Sequence, residues 1–303
     1  MKNLAFGIDI GGTKTSIGLV DSSGNILKKC TFPTQPEKGF DDFIERLFKS
    51  IHQVLSGADC ALSKISGMGI GCPGPLNLET GTILNRHTLP SWQGNNILFT
   101  VKQAAGIPTF LENDADAALL GEAFAGAARG QQNVVMLTFG TGIGGAILNR
   151  GEIYRGAHGE HPELGHIPAM SDGPLCYCGL HGCLESWASG TAIAEAGRKR
   201  GFQSSYAVFE QAKSGNPMAV EILKQTLKAV SQATWTLLHT FVPDLILLGG
   251  GIMDDHFEIF KGQIEETISK AKLLQQITVS IARAELGNLA GIVGAASLVY
   301  RSR

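Results

Sequence analysis

The chain has 303 residues, of which 44% are hydrophobic and 17% are charged, and its formal net charge is −2. A near-neutral chain without a long basic run lacks the charge that a nucleic-acid-binding surface requires. The apolar runs, such as residues 244–248, are too short to span a bilayer. We therefore expect a soluble protein of two lobes, whose partners are small molecules and other copies of the chain.

The chain opens with a predicted β-hairpin that has a glycine-rich tip. Residues 4–9 and 15–20 are apolar and strand-like, and the turn Ile10-Gly11-Gly12-Thr13-Lys14 separates them. The same arrangement returns between residues 134 and 148, where residues 140–145 form a second glycine-rich tip. Two hairpins of one kind predict two related halves.

Both tips are candidate phosphate sites, because backbone N–H groups in a tight glycine turn form a concave nest for anions. The candidate phosphate-contacting residues of the two tips are Gly11, Gly12, Thr13, Lys14, Thr141 and Gly142. A third glycine loop, which contains Gly249 and Gly250, follows the strand-like residues 244–248. Matched tips predict that a polyphosphate is bound from two sides.

Two other phosphate motifs fit less well. Residues 140–145 satisfy the GxGxxG pattern of dinucleotide-binding proteins, but that pattern opens a helix, and here the following residues are β-like. The first tip resembles a P-loop, except that Thr13 stands where the P-loop has its lysine. These departures argue against a nicotinamide enzyme and a P-loop enzyme.

Asn113 and Asp114 mark the predicted start of a helix that continues through an alanine-rich stretch to about residue 128. Either side chain can cap the first helical turn. On this evidence alone, a capping role is the simplest interpretation of Asp114.

Cysteines form the strongest chemical signal in the chain. Cys176, Cys178 and Cys183 lie within eight residues, downstream of a Glu163-Leu164-Gly165-His166 run. Thiolate sulfur and imidazole nitrogen are the donors that tetrahedral Zn²⁺ prefers, and a site with four protein ligands is structural. The pattern predicts a zinc site that stabilises a loop.

The fourth zinc ligand is open from the residues alone, since four histidines lie near in sequence: His158, His161, His166 and His181. Three thiols without a metal are the alternative. A disulfide is less favoured, because the other cysteines are scattered and the start of the chain does not resemble a signal peptide. We expect a reduced, cytoplasmic protein.

Taken together, these motifs resemble the ROK family of sugar kinases and sugar-responsive repressors. The segments that carry the resemblance are residues 9–14, 113–114, 141–145, 163–166, 176–185 and 248–251. The resemblance implies an α/β protein with the two-lobed actin-like ATPase and sugar-kinase fold, built from duplicated ribonuclease-H-like domains and carrying a structural zinc loop. It implies one lobe from residues 1–117 with 291–303, and a second lobe from residues 118–290 that holds the zinc and most nucleotide contacts.

The resemblance also implies roles for individual residues. Asp114 is expected to be the catalytic base for the sugar 6-hydroxyl, and His166 the fourth zinc ligand. The expected sugar-binding residues are Gly74, Asn113, Asp114, Glu163, His166 and Glu185. Asp9 is expected to hold Mg²⁺ through water, the tips at residues 11–14 and 141–142 to bind the ATP phosphates, and Gly249 and Gly250 to lie near the adenosine.

The implied activity is ATP-dependent phosphorylation of a hexose at the 6-hydroxyl, with glucose favoured. The sequence His161-Pro162-Glu163 is reminiscent of fructokinases of the family, and residues 172–174 resemble those of its N-acetylmannosamine kinases, so fructose, N-acetylmannosamine and N-acetylglucosamine are alternatives. A repressor or a sugar sensor without kinase activity is a further alternative; the repressors add a helix-turn-helix domain before the first tip, where eight residues precede Asp9. Relatives suggest a homodimer or homotetramer.

Overall fold

The computed structural model describes residues 4–302 and contains strands and helices in alternation. The strands are β1 Leu4–Ile10, β2 Lys14–Asp21, β3 Ile26–Pro33, β4 Ile65–Cys72, β5 Leu76–Asn77, β6 Thr82–Ile83, β7 Thr109–Asn113, β8 Val134–Phe139, β9 Ile143–Asn149, β10 Glu152–Ile153, β11 Leu245–Gly249 and β12 Ser280–Arg283. The α-helices are α1 Phe40–Gly57, α2 Ile97–Ala105, α3 Asp114–Ala125, α4 Glu185–Ala188, α5 Gly190–Arg198, α6 Ser205–Lys213, α7 Pro217–Phe241, α8 Gly251–Ser269 and α9 Ala290–Arg301.

Two five-stranded sheets share one topology. The first has the order β3-β2-β1-β4-β7 and the second the order β10-β9-β8-β11-β12. In each sheet an antiparallel hairpin, β1–β2 or β8–β9, is extended by two parallel strands. The predicted repeat of hairpins with glycine tips is therefore confirmed, and the predicted α/β class with it.

The chain divides into two compact units. Unit 1 contains the described residues up to Gly130, then Ile153–Pro162, and the described residues from Glu285 onward. Unit 2 contains Gln131–Glu152 and Glu163–Ala284. Residues 1–3 and 303, which the sequence analysis assigned to the first lobe, lie outside the described residues.

These units differ from the predicted lobes, whose boundaries were residues 117 and 291. The boundary at residue 117 falls inside α3, and α3 belongs to unit 1 because it packs against α9, β4 and β7. The helix also ends at Ala125, before the predicted position near residue 128. The segment Ile153–Pro162 was assigned to the other lobe, but it too belongs to unit 1.

A buried carboxylate joins α3 to the segment that leads into α9. Glu122 is fully buried and accepts hydrogen bonds from the backbone N–H groups of Ala127, Glu285 and Leu286, at 2.9, 3.1 and 2.8 Å. A buried charge is tolerated where several donors satisfy it. Glu122 therefore fixes the point at which the chain re-enters unit 1.

Unit 1 packs helices on both faces of its sheet. On one face, apolar residues of α1 at helical spacing, including Phe43, Leu47 and Ile51, pack with Trp92. On the other face α9 lies so close to β1 and β4 that a Cβ at Gly7 or Gly69 would overlap its backbone. This close approach requires glycine at both strand positions.

Unit 2 has its own hydrophobic core beneath the second sheet. Strand residues such as Leu137 and Leu248 pack there with Phe260 of α8 and with the buried face of the long helix α7. Helix α7 starts at Pro217, after Asn216 caps its first turn. Within residues 4–302, no helix has both the length and the apolar character needed to cross a bilayer.

Candidate active site

The carboxyl ends of three parallel strands bring candidate residues of unit 1 together. In the sheet register Asp9 on β1 lies opposite Gly71 on β4, and Cys72 lies opposite Asn113 on β7. In open α/β sheets, ligands bind at this edge, beyond the carboxyl ends of the strands. The predicted metal residue Asp9 and the predicted base Asp114 therefore share one edge of the sheet.

Asn113 and Asp114 form the junction between β7 and α3. The Asn113 Oδ1 atom accepts hydrogen bonds from the N–H groups of Ala115 at 2.8 Å and Asp116 at 3.2 Å, so Asn113 is the N-cap. The Asp114 Oδ1 atom accepts a hydrogen bond from Ala115 N–H at 2.9 Å. Burial raises the pKa of Asp114, and this hydrogen bond and the charge of His161 partly oppose the shift.

Asp9 has a perturbed pKa for the same reason. Burial raises it to about 6, the charge of Asp114 adds to the shift, and Lys14 opposes it. The surroundings thus leave the negative charge of Asp9 incompletely compensated. A nearby divalent cation would compensate it, which fits the predicted role of Asp9 in holding Mg²⁺.

Replacing Gly291 by alanine is expected to disturb Asp9 directly. A Cβ at this position in the first turn of α9 would lie 2.6 and 2.7 Å from the Asp9 carboxylate oxygens. Because the site is closely packed, Gly291→Ala should lower the free energy of unfolding by about 1–3 kcal/mol. Urea denaturation measures this change.

Gly262→Ala is the matched control for that substitution. Gly262 lies in the interior of α8, and nothing lies within 4 Å of its Cβ position. Alanine there should stabilise the protein by about 0.4–1 kcal/mol. Equal stabilities of the two variants would show that α9 does not press on Asp9 as described.

The first glycine tip and Gly74 complete the predicted set in unit 1. The tip is closed by a hydrogen bond from Gly11 N–H to the Lys14 carbonyl at 2.9 Å, and Thr34 donates through Oγ1 to the Gly11 carbonyl at 2.6 Å. Gly74 lies beside Asn113, because a Cβ on Gly74 would be 3.0 Å from the Asn113 Nδ2 atom. The sequence-predicted residues of unit 1 therefore lie at one edge of its sheet.

Sequence reasoning missed a buried cluster of charges beside Asp114. Asp116 is fully buried and pairs with Arg155 at 3.3 Å and with His161 Nδ1 at 3.0 Å. Arg155 also pairs with the buried Glu112. These contacts anchor the segment Ile153–Pro162 on unit 1, one residue before the predicted sugar-binding Glu163.

The second glycine tip, in unit 2, borders a large cavity. Thr141 and Gly142 form the turn between β8 and β9, which a hydrogen bond from Gly140 N–H to the Gly142 carbonyl closes at 2.9 Å. Gly140 and Thr141 form part of the wall of a cavity of about 560 Å³. It is lined further by Gly190, Thr191, Ala194, Arg198, Ser205, Tyr206, Phe209, Gly251, Ile252, Asp255 and His256.

This cavity has the size and lining of a small-molecule site. Its wall includes the ring of His256 stacked on Phe209, with centroids 3.7 Å apart and planes 13° apart. The predicted adenosine residues lie just outside the lining: Gly249 ends β11 and Gly250 precedes α8, while the next residue, Gly251, borders the cavity. Sequence reasoning missed the contributions of Asp255 and His256.

The predicted zinc ligands converge in unit 2. The donor atoms of His166, Cys176, Cys178 and Cys183 all lie within 4.8 Å of one another. The Cys178 and Cys183 sulfurs are 3.5 Å apart, and His166 Nδ1 is 3.4 Å from the Cys176 sulfur. Tetrahedral zinc with bonds of about 2.3 Å to sulfur places two such sulfurs about 3.8 Å apart, so the four donors fit zinc.

The structure also separates three of the four candidate histidines. His166 lies with the cysteines, whereas His161 pairs with Asp116 and His181 Nδ1 contacts the Gly173 carbonyl at 3.1 Å. The sulfur separation is far longer than the bond of about 2.05 Å in a disulfide. Three thiols and one imidazole at these distances form a metal-binding geometry.

The remaining predicted sugar-binding residues of unit 2 lie around the same loop. Glu163 precedes a short 3₁₀ turn, and His166 N–H bonds to the Glu163 carbonyl at 3.0 Å. The second ring nitrogen of His166, Nε2, is 2.9 Å from the Tyr177 hydroxyl. Burial, followed by the charges of Glu185 and Glu163, raises the pKa of Tyr177 to about 12. Sequence reasoning missed Tyr177, which contacts His166.

Duplicated five-stranded sheets whose hairpins carry glycine tips are typical of the actin-like ATPase and sugar-kinase fold, and comparison with solved structures confirms that class. The family model that matches the chain, described as "ROK family", covers residues 5–302. The protein therefore belongs to the ROK family, as the sequence motifs indicated.

Three relatives illustrate the similarity. A protein from Thermotoga maritima named glucokinase is 35% identical over 310 residues, which cover 97% of this chain and 96% of the relative. The crystal structure of a ROK hexokinase from Thermus thermophilus superposes with a TM-score of 0.86 at 34% identity. The alignment covers 100% of this chain and 99% of the hexokinase chain. A ROK family glucokinase from Streptomyces griseus, solved in complex with glucose and AMPPNP, superposes with a TM-score of 0.76 at 30% identity. The alignment covers 99% of this chain and 100% of the glucokinase chain.

Proposed function

We propose that this protein is an ATP-dependent hexose kinase that transfers the γ-phosphoryl group of ATP to the 6-hydroxyl of glucose. The observation that carries the proposal is the pair of carboxylates, Asp9 and Asp114, at the carboxyl ends of the unit 1 strands. They lie close enough for the charge of Asp114 to raise the pKa of Asp9. Membership of a family with glucokinase relatives supports the same activity.

In this proposal Asp114 acts as the general base. It accepts the proton of the 6-hydroxyl while a bond forms between that oxygen and the γ-phosphorus, and the bond to the bridging oxygen of ADP breaks. Phosphoryl transfer has a loose transition state, so orientation of the hydroxyl is as important as removal of its proton. Asn113 would orient a neighbouring sugar hydroxyl, and Gly74 would contact the sugar through its backbone.

Unit 2 would supply further sugar and nucleotide contacts. Glu163, His166 and Glu185 are proposed to bind hydroxyls near the reducing end of the sugar. The cavity beside Thr141 would receive the nucleoside, with the base near the ring pair of Phe209 and His256. The glycine tips at residues 11–14 and 141–142 would bind the phosphates through backbone N–H groups.

Two metal ions belong to the proposal. Mg²⁺, held by Asp9 through water, would supply positive charge for the phosphate oxygens. Zinc at His166, Cys176, Cys178 and Cys183 would stabilise the loop that carries Glu163 and Glu185, because a structural zinc supplies about 10–16 kcal/mol of apparent binding energy. His166 would bind it through Nδ1, which faces the Cys176 sulfur.

The test is an assay of ADP release by the zinc-loaded protein with MgATP and a panel of sugars. The panel contains glucose, mannose, fructose, allose, N-acetylglucosamine and N-acetylmannosamine. We expect glucose to have the highest kcat/KM. A higher kcat/KM for fructose or an N-acetylhexosamine would show that the protein is a kinase whose preferred substrate is that sugar. Absence of turnover with every sugar, when sugar binding is measurable, would favour a sensor over a kinase.

Activity is expected to fall as the pH decreases through about 6. Asp9, whose pKa is raised to about 6, and Asp114, whose pKa is also raised, must both be ionised to hold a cation and accept a proton. Because these two carboxyl groups interact, the profile of kcat/KM reports the pair and not either residue alone. A profile at two Mg²⁺ concentrations measures this, and higher Mg²⁺ should move the acidic limb to lower pH.

The loss at low pH should not come from unfolding. A pKa that is raised in the folded state means that the folded protein binds this proton more tightly than the unfolded chain. The contribution of Asp9 to stability is therefore largest below its unfolded pKa of about 3.9 and is lost as the pH rises through about 6. A melting temperature that fell in step with activity between pH 7 and pH 5.5 would contradict this account.

Location and assembly complete the proposal. We expect a cytoplasmic protein, because reduced thiols are the form that binds zinc. We also expect a homodimer or homotetramer, which sedimentation equilibrium would measure. A monomer at all accessible concentrations would leave the proposed chemistry unchanged and exclude this assembly.

A further inference from the structure

Three hydrogen bonds join the second glycine tip, residues 140–143, to residues 185–191, which follow the cysteines of the proposed zinc site. We call residues 140–143 the phosphate loop of unit 2. Ile143 N–H donates to the Glu185 Oε2 atom at 2.6 Å. Gly190 N–H donates to the Gly140 carbonyl at 2.8 Å, and Thr191 N–H donates to the Thr141 carbonyl at 3.3 Å. The turn that contains Thr141 and Gly142 is therefore supported from outside its own hairpin.

The bond to Glu185 differs from the other two. A carboxylate that accepts from a backbone N–H forms a charge-assisted hydrogen bond, which is about twice as strong as a neutral one. The contact is also tight, because a Cβ on Gly142 would lie 2.5 Å from the same Oε2 atom. The position of the Glu185 carboxylate and the path of the phosphate loop thus depend on each other.

Ile143 is the meeting point of two sugar-binding segments. Its N–H contacts Glu185, and its carbonyl lies against Gly165, so closely that a Cβ on Gly165 would overlap it. Gly165 belongs to the 3₁₀ turn that ends at His166 and begins after Glu163. The first residue after the phosphate tip therefore contacts the turn of Glu163 and His166 on one side and Glu185 on the other.

The Glu185 side chain can contact the phosphate loop and a bound sugar at the same time, because it has two oxygens. Oε2 is occupied by Ile143 N–H. Glu185 also begins α4, two residues after Cys183, whose sulfur lies in one cluster with the His166 ring, so the residue belongs to the group proposed to bind sugar. One carboxylate thus lies between the proposed sugar site and the glycine tip that is proposed to bind phosphate.

We infer that Glu185 positions the phosphate loop and couples the two substrates, so that bound hexose increases the affinity for nucleotide and bound nucleotide increases the affinity for hexose by the same factor. Ordering of the carboxylate by a sugar would fix Ile143 N–H and the tip before it, and ordering of the tip would fix the carboxylate. The equality of the two factors is required by thermodynamic linkage. This inference rests on the proposed function.

The experiment measures glucose binding by isothermal titration calorimetry, with and without saturating Mg²⁺ and the ATP analogue AMPPNP. The coupling factor is the ratio of the two dissociation constants for glucose. We expect a factor of about 5 or more for the unaltered protein, the lower end of the usual range for linked sites. The reverse titration, of AMPPNP with and without glucose, must give the same factor.

Gly142→Ala tests the contact from the loop side, without changing a sugar-binding side chain. The added methyl group overlaps the Glu185 carboxylate, so the coupling factor should fall towards 1. Gly140→Ala is the matched control, because the nearest heavy atom is 4.0 Å from its Cβ position. Whatever Gly140→Ala does to nucleotide affinity, it should keep the coupling factor.

Glu185→Asp is the second variant, in case Gly142→Ala fails to fold. It keeps the negative charge but draws the carboxylate back from Ile143 N–H by one methylene, and it too should lower the coupling factor towards 1. Equal glucose affinities with and without AMPPNP in the unaltered protein would overturn the inference, as would unchanged coupling in both variants. If glucose and AMPPNP do not bind at all, the proposed function fails first. If both bind without coupling, and the protein phosphorylates glucose with MgATP, only this inference fails.

Discussion

Asp114→Asn should lower kcat for the preferred sugar by about 10²–10⁴-fold, the usual cost of losing a positioned general base. Asparagine keeps an oxygen that can accept the hydrogen bond from Ala115 N–H, so the start of α3 should stay intact. Because burial raises the pKa of Asp114, the neutral side chain should not lower the melting temperature of the protein without ligands. Steady-state kinetics and thermal denaturation of the same preparation measure both effects.

Asp41→Asn is the matched control for the catalytic substitution. Asp41 is also a carboxylate in the first turn of a unit 1 helix, but it is exposed at the start of α1. Its loss should cost about 0.3–1 kcal/mol of stability through the helix dipole and leave kcat unchanged. If Asp114→Asn turned over as fast as Asp41→Asn, Asp114 would not be the base.

Cys178→Ser should abolish stoichiometric zinc binding and weaken sugar binding more than nucleotide binding. Without the metal, the His166 ring loses its fixed orientation and with it one hydrogen bond to the sugar. Such a bond contributes about 1–1.5 kcal/mol, so its loss should raise the KM for sugar roughly tenfold. The KM for ATP should rise less, since the hydrogen bonds of Gly190 and Thr191 to the phosphate loop lie outside the zinc cluster. Elemental analysis and the two KM values are the measurements.

Cys60→Ser is the control for the zinc variant. Cys60 is partly exposed and lies outside the cluster, so its serine variant should keep the metal and both KM values. Wild-type protein stripped with a strong chelator should behave like Cys178→Ser, and added zinc should restore it. A zinc-free protein with an unchanged KM for sugar would refute the role assigned to the metal.

Local patterns predicted the parts of the molecule that are local in origin. The glycine tips at residues 11–14 and 140–145 determine where each hairpin turns, and Asn113 caps the helix that follows it in sequence. Cys176, Cys178 and Cys183 could be grouped because they are within eight residues of one another. In each case the physical interaction joins residues that are already neighbours in the chain.

Contacts between distant residues could not be predicted in the same way. The buried Asp116 needs a partner, but nothing in the sequence shows that Arg155 and His161, 39 and 45 residues later, provide it. The hydrogen bond between Ile143 and Glu185 spans 42 residues. The packing of α3 on α9, which places α3 in unit 1, is likewise a tertiary contact that no local pattern shows. A buried charged residue requires a partner, but only the fold determines which residue that partner is.

The arrangement of unit 1 in three separate segments has a consequence for synthesis on the ribosome. Helix α9, which covers Gly7 and Gly69 and packs on α3, is made after the whole of unit 2. Until it emerges, the face of β1 and β4 that it covers has no partner, and the carboxylate of Glu122 lacks two of its three hydrogen-bond donors, Glu285 and Leu286. All residues of unit 2 have been made by that point, and a nascent chain stalled before residue 285 should expose an apolar face that chaperones bind.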